Sequence, residues 1–330
     1  MRLFQAEWRR MVNRGLARWA MVALIGVIGI FGFAIFRSTT PPSAAEMARQ
    51  QQLFEQNRAE WERNVTPSDI ATCRAQEAEA QLREPNGKIE FGCDGPQLKD
   101  YTWNPTPLQE ILNQGIPVVL MTAGLTALVV SASFVGAEFS SGAISMWLTF
   151  EPRRIRVFVS KLTATALAAL LFGVTAYILV GLVSWLAVAL HDGPTAFDPG
   201  FPTLYVGRVA RMQLVVVGMG LLGAALGFLL RNMAAVIGLV VAYYVVVESI
   251  LTNMVQGLAR WRLGTNITAL VDGRTSYFTQ RCANDAKTGE YICQAVDSVV
   301  TWKQGSLVLA GLMIVAVGLA GYLFKRRDLQ

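Results

Sequence analysis

The chain has 330 residues, 53% of them hydrophobic and only 16% charged, with a mean hydropathy of +0.40. Soluble globular domains run nearer 45–50% apolar and about 25% charged, so an ordinary soluble enzyme is excluded and a membrane protein is expected. The net charge of +6 lacks the clustered basic patch with aromatic partners of a nucleic-acid-binding surface, and no nucleic-acid partner is expected.

Residues 1–18 carry Phe4, Trp8, Met11 and Val12 at helical spacing, with Arg2, Arg9, Arg10, Arg14 and Arg18 on the remaining face. That pattern predicts an amphipathic helix lying on anionic lipid at the cytoplasmic surface. A hydrocarbon core of about 30 Å takes roughly 20 apolar residues in a helix. Six runs meet this length: Trp19 to Phe36, Leu112 to Val135, Leu162 to Leu190, Met212 to Leu230, Met233 to Met254 and Ser306 to Phe324. The first is long for the core of a signal peptide and five more follow it, so a retained anchor at 19–36 is expected. None alternates apolar and polar residues as a barrel strand does.

Between the first two runs, residues 37–110 form a polar, mostly helical lobe. Ser43 and Glu46 have capping-box spacing before a helix that should reach Asn64. Thr66 and Pro67 open a second helix, and the chain turns at "PNG". Residues 111–254 hold spans two to five, with Arg231 and Asn232 making a tight hairpin between the fourth and fifth. Residues 255–303 form a second, less regular polar segment, and 304–330 hold the sixth span and a basic tail. If the six spans alternate, one side has a net charge of +9 and the other −3. The positive-inside rule places the basic side, with both termini, in the cytoplasm. Cys73, Cys93, Cys282 and Cys293 then all lie outside, where one disulfide within each polar piece is expected. Their spacings fit no zinc motif, and the single histidine, His191, is remote from them.

The stretch "GAEFSSGAISMWLTFEPRRIRVFVSK" interrupts the apolar runs between spans two and three. A charge at the bilayer centre costs about 2.5–3.5 kcal/mol on insertion scales, so Glu138, Glu151, Arg153, Arg154 and Arg156 should emerge into the cytoplasm. Phe139, Ala143, Met146, Trp147 and Phe150 share one helical face, and Ser141, Ser145 and Thr149 another. A short amphipathic helix within 138–156, ended by Pro152, is expected, either as a connector or as a docking element. One further acid, Glu248 in "YYVVVESILTN", is embedded in an apolar run and is a candidate either for a transport pathway or for an interfacial anchor. The glycines of "GMGLLGAALGFLL" have the spacing of close helix packing.

The order "VGAEFSSGAISMWLTFEPRRIRVFVSKL", with an acid after Gly-Ala, a glycine four residues on and a basic cluster leading to a lysine, resembles the signature of type 2 ABC exporter permeases. The ending "FKRRDLQ" is similar to that family too. The resemblance implies an all-α bundle of six transmembrane helices in a bacterial cytoplasmic membrane, with an interfacial helix, a cytoplasmic coupling helix and an extracellular re-entrant segment before the last span. It implies ATP-driven export of a hydrophobic or amphipathic substrate, with two copies of a separate ATPase subunit holding ATP and Mg and a second permease copy or paralogue completing the pathway. No cofactor is then bound by this chain, and it is not an enzyme alone. Glu138, Phe139, Gly142, Trp147, Phe150, Arg153, Arg154 and Arg156 would form the ATPase-coupling element. The long insert at 37–110 departs from many members. A membrane sensor or assembly protein that binds a partner through its stapled outer lobes remains the alternative.

Overall fold

The computed structural model describes residues 2–83, 90–284 and 291–326. Its elements, in chain order, begin with α1 (Arg2–Val12), α2 (Gly15–Thr39), α3 (Ala44–Asn64), α4 (Pro67–Arg83), α5 (Leu98–Tyr101), α6 (Leu108–Ser140), α7 (Ala143–Phe150), α8 (Arg154–Leu190) and α9 (Phe201–Leu230). Then come α10 (Met233–Ala242), which continues as a π-helix over Tyr243–Leu251, α11 (Thr252–Met254), a 3-10 turn at Gln256–Trp261, α12 (Leu263–Asp272), strands β1 (Arg274–Asn284) and β2 (Tyr291–Thr301), and α13 (Trp302–Arg326). Six helices are long and apolar enough to span a membrane: α2, α6, α8, α9, α10 with its π continuation, and α13. This is a multi-pass helical membrane protein.

The spans pack around α6, the most buried of the six. It lies closest to α9, and the reason is in the glycines. A Cβ on Gly223 would strike the backbone carbonyl of Leu128, and one on Gly227 would come within 2.9 Å of Val135 Cβ and 3.2 Å of Ala132 O. A Cβ on Gly220 would approach that of Ala169 on α8 to 2.7 Å. Without side chains at these positions the helix backbones approach, and dispersion contacts replace the hydrophobic drive that lipid does not supply. At one end of the bundle Phe139, Phe158, Phe228 and Phe324 interlock from α6, α8, α9 and α13, with ring centroids 4.8–6.3 Å apart. The arginines of α1, Arg153, Arg154 and Arg156, Arg231 and the end of α13 gather at this basic end.

The other end carries two polar pieces. In the first, the Ser43 hydroxyl accepts from the Glu46 N–H and the Glu46 carboxylate accepts from Ser43 N–H, a complete capping box. Thr66 and Asp69 exchange the same kind of bonds at the start of α4. Both carboxyls are held below their ordinary range by these hydrogen bonds. Cys73 and Cys93 are disulfide-bonded, Arg74 pairs with Asp94 at 2.6 Å, and Gly95 lies against the Trp61 ring, where a Cβ would meet it at 2.7 Å. The turn at "PNG" lies outside the described residues.

The second piece corrects an all-helical expectation. After α12, β1 and β2 form an antiparallel hairpin with Cys282 opposite Cys293 in its register. The reason is legible afterwards: "RTSYFTQ" and "AVDSVVT" are rich in β-branched and aromatic residues. The side chains of Cys282 and Cys293 lie outside the described ones. His191 packs its ring 4.7 Å from that of Phe36, with Nδ1 3.0 Å from the Thr39 hydroxyl; it ties the first span to the end of the third. Asn266, in the sequon "NIT", is fully buried and its Nδ2 donates to the carbonyls of Arg260 and Arg262, so it is no surface acceptor.

Gly223→Val should separate α6 from α9. Overpacking of this kind costs about 1–3 kcal/mol, and the purified protein should unfold at lower temperature, whereas Gly218→Val, where nothing lies near the added atoms, should be close to neutral. Thermal denaturation of the two variants side by side checks this.

Candidate functional site

The charged interruption between the second and third spans is not a solvated connector. α6 runs on past its expected end, so Glu138 stays within that helix and is 8% exposed. α8 starts at Arg154, well ahead of the expected Leu162, which places Lys161 inside the bundle with no exposure at all. Lys161 Nζ lies 2.6 Å from Glu138 Oε2 and 2.9 Å from Glu7 Oε2. Glu7 is likewise fully buried. An isolated buried ion is costly by several kcal/mol, and mutual pairing is what makes the burial tolerable. Burial pushes the Glu7 carboxyl up from its ordinary range, and the charge and hydrogen bond of Lys161 pull it back.

Two arginines of the first helix region close the cluster. Arg10 lies 3.6 Å from Glu138 Oε1, and its guanidinium stands 4.6 Å from the Trp147 ring centroid. Arg14 Nη1 donates to the Ser133 carbonyl at 2.7 Å. The Phe134 ring receives Lys161 at 4.7 Å and Arg14 at 5.7 Å, so cation–π attraction adds to the ion pairs. One network therefore joins α1, α6, α7 and α8.

This arrangement changes the reading of α1. The face carrying Glu7 and Met11 is turned onto α8 and buried, while Val12 is exposed; a face expected on lipid is a protein contact. Glu7 was the residue that sequence reasoning missed. The signal was present in two places: an acid on the apolar stripe of an otherwise basic helix, and a lysine standing at the head of an apolar run, directly before Leu162.

α7 hangs from this network. Gly142 breaks the helix with φ of +70°, a left-handed conformation in which a Cβ is strained, so Glu138 and Phe139 belong to α6 and the short helix is confined to Ala143–Phe150. Its inward anchor is Ile144, 3% exposed, a residue outside the expected apolar face. Trp147 is half-buried under Arg10, whereas Met146 and Phe150 are 68% and 79% exposed. Phe139 sits in the phenylalanine cluster, with Arg231 stacked 5.3 Å from its centroid. Arg153 is exposed, Arg154 donates to the Lys325 carbonyl at 3.4 Å, and Arg156 lies 3.6 Å from Glu151. Of the expected coupling residues, Glu138 and Trp147 meet in one network, Phe139 is core, Arg154 is tied to the end of α13, and Phe150 with Arg153 and Arg156 forms the exposed rim.

Glu248 is at the opposite end and belongs to no part of this site. It is 5% exposed and lies in the π-helical stretch. Its Oε1 accepts from the Tyr243 hydroxyl at 3.0 Å, from Leu263 N–H at 2.6 Å and from Gly264 N–H at 3.4 Å, while Arg262 pairs with Oε2 at 3.3 Å. The carboxylate thus caps the first turn of α12, whose free N–H groups and positive dipole end favour an anion. At its far end α12 is held by Asp272, which accepts from Arg208 of α9 at 2.6 and 3.0 Å; Arg208 also donates to Asn113 of α6. No protein-family model matches this chain, and neither a curated protein nor a solved structure matches it.

Two measurements follow from these contacts. Lys161→Met leaves two carboxylates buried without their cation and should cost about 3–5 kcal/mol; adding Glu7→Leu should recover part of that loss, so a double-mutant cycle on thermal unfolding gives a coupling well above the ~0.3–0.5 kcal/mol scatter of independent sites. Glu248→Ala should speed amide hydrogen exchange across Leu263–Asp272 and leave α7 unaffected; unchanged exchange in α12 would contradict the capping role.

Proposed function

We propose that this chain is the membrane-spanning permease subunit of a type 2 ABC exporter in a bacterial cytoplasmic membrane. The basic end then faces the cytoplasm and the disulfide-bonded lobe and hairpin lie outside. The support for the sidedness is the gathering of arginine and lysine at one end. In this reading the chain does not hydrolyse ATP. A separate cytoplasmic ATPase, present in two copies, binds ATP and Mg and pushes on α7, and a second permease copy or paralogue completes the pathway for a hydrophobic or amphipathic substrate.

The single observation that carries the reading is a short helix at the basic end, rooted on a buried charge network and presenting Met146 and Phe150 outward. An element that transmits force must be stiff at its root and sticky at its tip. The Glu7–Lys161–Glu138 network and the Arg10–Trp147 stack supply the first. Two exposed apolar side chains beside Arg153 and Arg156 supply the second, since large apolar groups of this kind with a charged rim are typical of contact surfaces. Glu138 has an anchoring role here, holding α1, α7 and α8 together instead of touching the partner. One observation favours the sensor or assembly reading: α3, twenty-one residues long, has no buried residue and stands clear of the bundle.

Affinity purification of the full chain from its host in mild detergent, with mass spectrometry and an ATPase assay, tests the proposal. An ABC-type ATPase should accompany the wild type. Met146→Asp with Phe150→Asp should lower both its recovery and the ATPase activity by about tenfold or more, as expected for truncating hot-spot contacts worth about 2 kcal/mol, with thermal stability nearly unchanged because both side chains are exposed. A preparation in which the chain is abundant and no ATPase is present would favour the sensor reading.

A further inference from the structure

The α1–α8 contact leaves a groove. Phe4 forms one wall, and Ile155, Arg156, Val159, Ser160, Thr163, Ala166 and Leu167 form a stripe along α8 that borders with it an open furrow of about 1030 Å³. These α8 positions recur at helical spacing and so lie on one face. The volume exceeds the 300–1,000 Å³ of enclosed small-molecule sites, as suits a furrow open along the helix. Two features make it more than an apolar seam. Arg156, half-exposed, sits at its mouth; its pairing with Glu151 at 3.6 Å is of the exposed kind that contributes little and leaves guanidinium donors to spare. One helical turn deeper, about 6 Å along the axis, Ser160 is 8% exposed and its hydroxyl has no hydrogen-bond partner.

We propose that this groove binds one anionic phospholipid of the leaflet at the basic end. The polar groups are ordered as such a lipid is: a cation for the phosphate at the mouth, then a buried hydroxyl at the depth of a glycerol ester carbonyl, then an apolar floor for a chain. The length fits as well. Arg156 to Leu167 at 1.5 Å per residue is roughly 16 Å, about half of a hydrocarbon core of ~30 Å, so the groove traverses one leaflet and stops. The Ser160 Oγ is covered by protein and has no partner; an unpaired hydroxyl in an apolar wall is costly, and turning toward the furrow lets it donate to a lipid ester oxygen. Because α1 forms the other wall, the bound lipid also fixes α1 on α8, next to the Glu7–Lys161 pair. The site requires that α8 spans the membrane and does not depend on the transport reading.

The test uses the full-length protein purified in detergent and titrated with phosphatidylglycerol or phosphatidylcholine of identical chains, with bound lipid counted by native mass spectrometry. Phosphatidylglycerol should be retained roughly fivefold better, the factor that a single basic residue contributes at an anionic surface. Arg156→Glu, at an exposed position that does not endanger the fold, should abolish the preference, and Arg153→Glu, on the same rim but outside the groove, should preserve it. Ser160→Leu should reduce retention of both lipids, provided its thermal unfolding matches the wild type. Equal retention of the two lipids, equal loss in the Arg153 and Arg156 variants, or displacement of the lipid by millimolar inorganic phosphate would overturn the assignment; the last would mark an anion site without a lipid chain.

Discussion

A lysine with no solvent exposure, set between two carboxylates, is the constraint from which the basic end is built. Lys161 enters the bundle only because Glu138 reaches it from α6 and Glu7 from α1. Each of the three would be expensive alone in a medium of low dielectric. Together with Arg10 and Arg14 they form a nearly balanced set, and that balance fixes geometry: α1 must lie along α8, α6 must run on to Ser140, and α8 must begin a full two turns before its apolar stretch. The polar network gives direction, while the packing of Phe134 beneath it and the four phenylalanines beside it give attraction. Buried ion pairs are weak contributors to net stability, and the use best attested for them is specifying one arrangement over others. Here the arrangement specified is the position of α7.

The spans, the capping box of α3, the Thr66–Pro67 start of α4 and the first disulfide were legible because each rests on a local pattern: length without charge, Ser43 to Glu46, Thr before Pro, Cys73 within reach of Cys93. The hairpin is not legible in the same way, since short apolar and polar mixtures between helices carry too little periodicity to separate strand from irregular chain. The site was legible in its parts and not in its assembly. Glu138, Gly142 and the arginines stood out by type and spacing, but the partner of Lys161 lies 154 residues away in sequence, and pairing at that distance leaves no local trace. The same limit explains α7. The apolar face was drawn across Gly142 as if the helix were continuous; the positive φ there turns the chain, and Ile144 becomes the anchor in place of Phe139.

Charge hopes pinned on Glu248 illustrate a related lesson. An acid within an apolar run is either a functional group or a structural one, and its environment separates the two. Glu248 faces two backbone N–H groups, a tyrosine hydroxyl and an arginine, which is the surrounding of a cap. The π-helical register of Tyr243–Leu251 is what brings both Tyr243 and Glu248 to bear on α12; π segments often mark positions where a helix gives up regularity to aim a side chain.

The two ends of the bundle are therefore held by different means, and the difference bears on movement. At the basic end, Glu7, Lys161 and Glu138 are buried, and with Arg10, Arg14 and Trp147 they link α1, α6, α7 and α8, backed by aromatic packing. At the lobe end, α10 with its π continuation buries only Val236 and Glu248, and it is tied to α12 through Glu248 and Tyr243, both at Leu263. A displacement of this span would reach α12 through Glu248 and, from α12, reach α9 through Asp272 and Arg208. Under the exporter function proposed above, a stiff root at one end and a helix pinned at Glu248 and Tyr243 at the other is the distribution of rigidity by which force applied at α7 would be felt as displacement on the far side of the membrane.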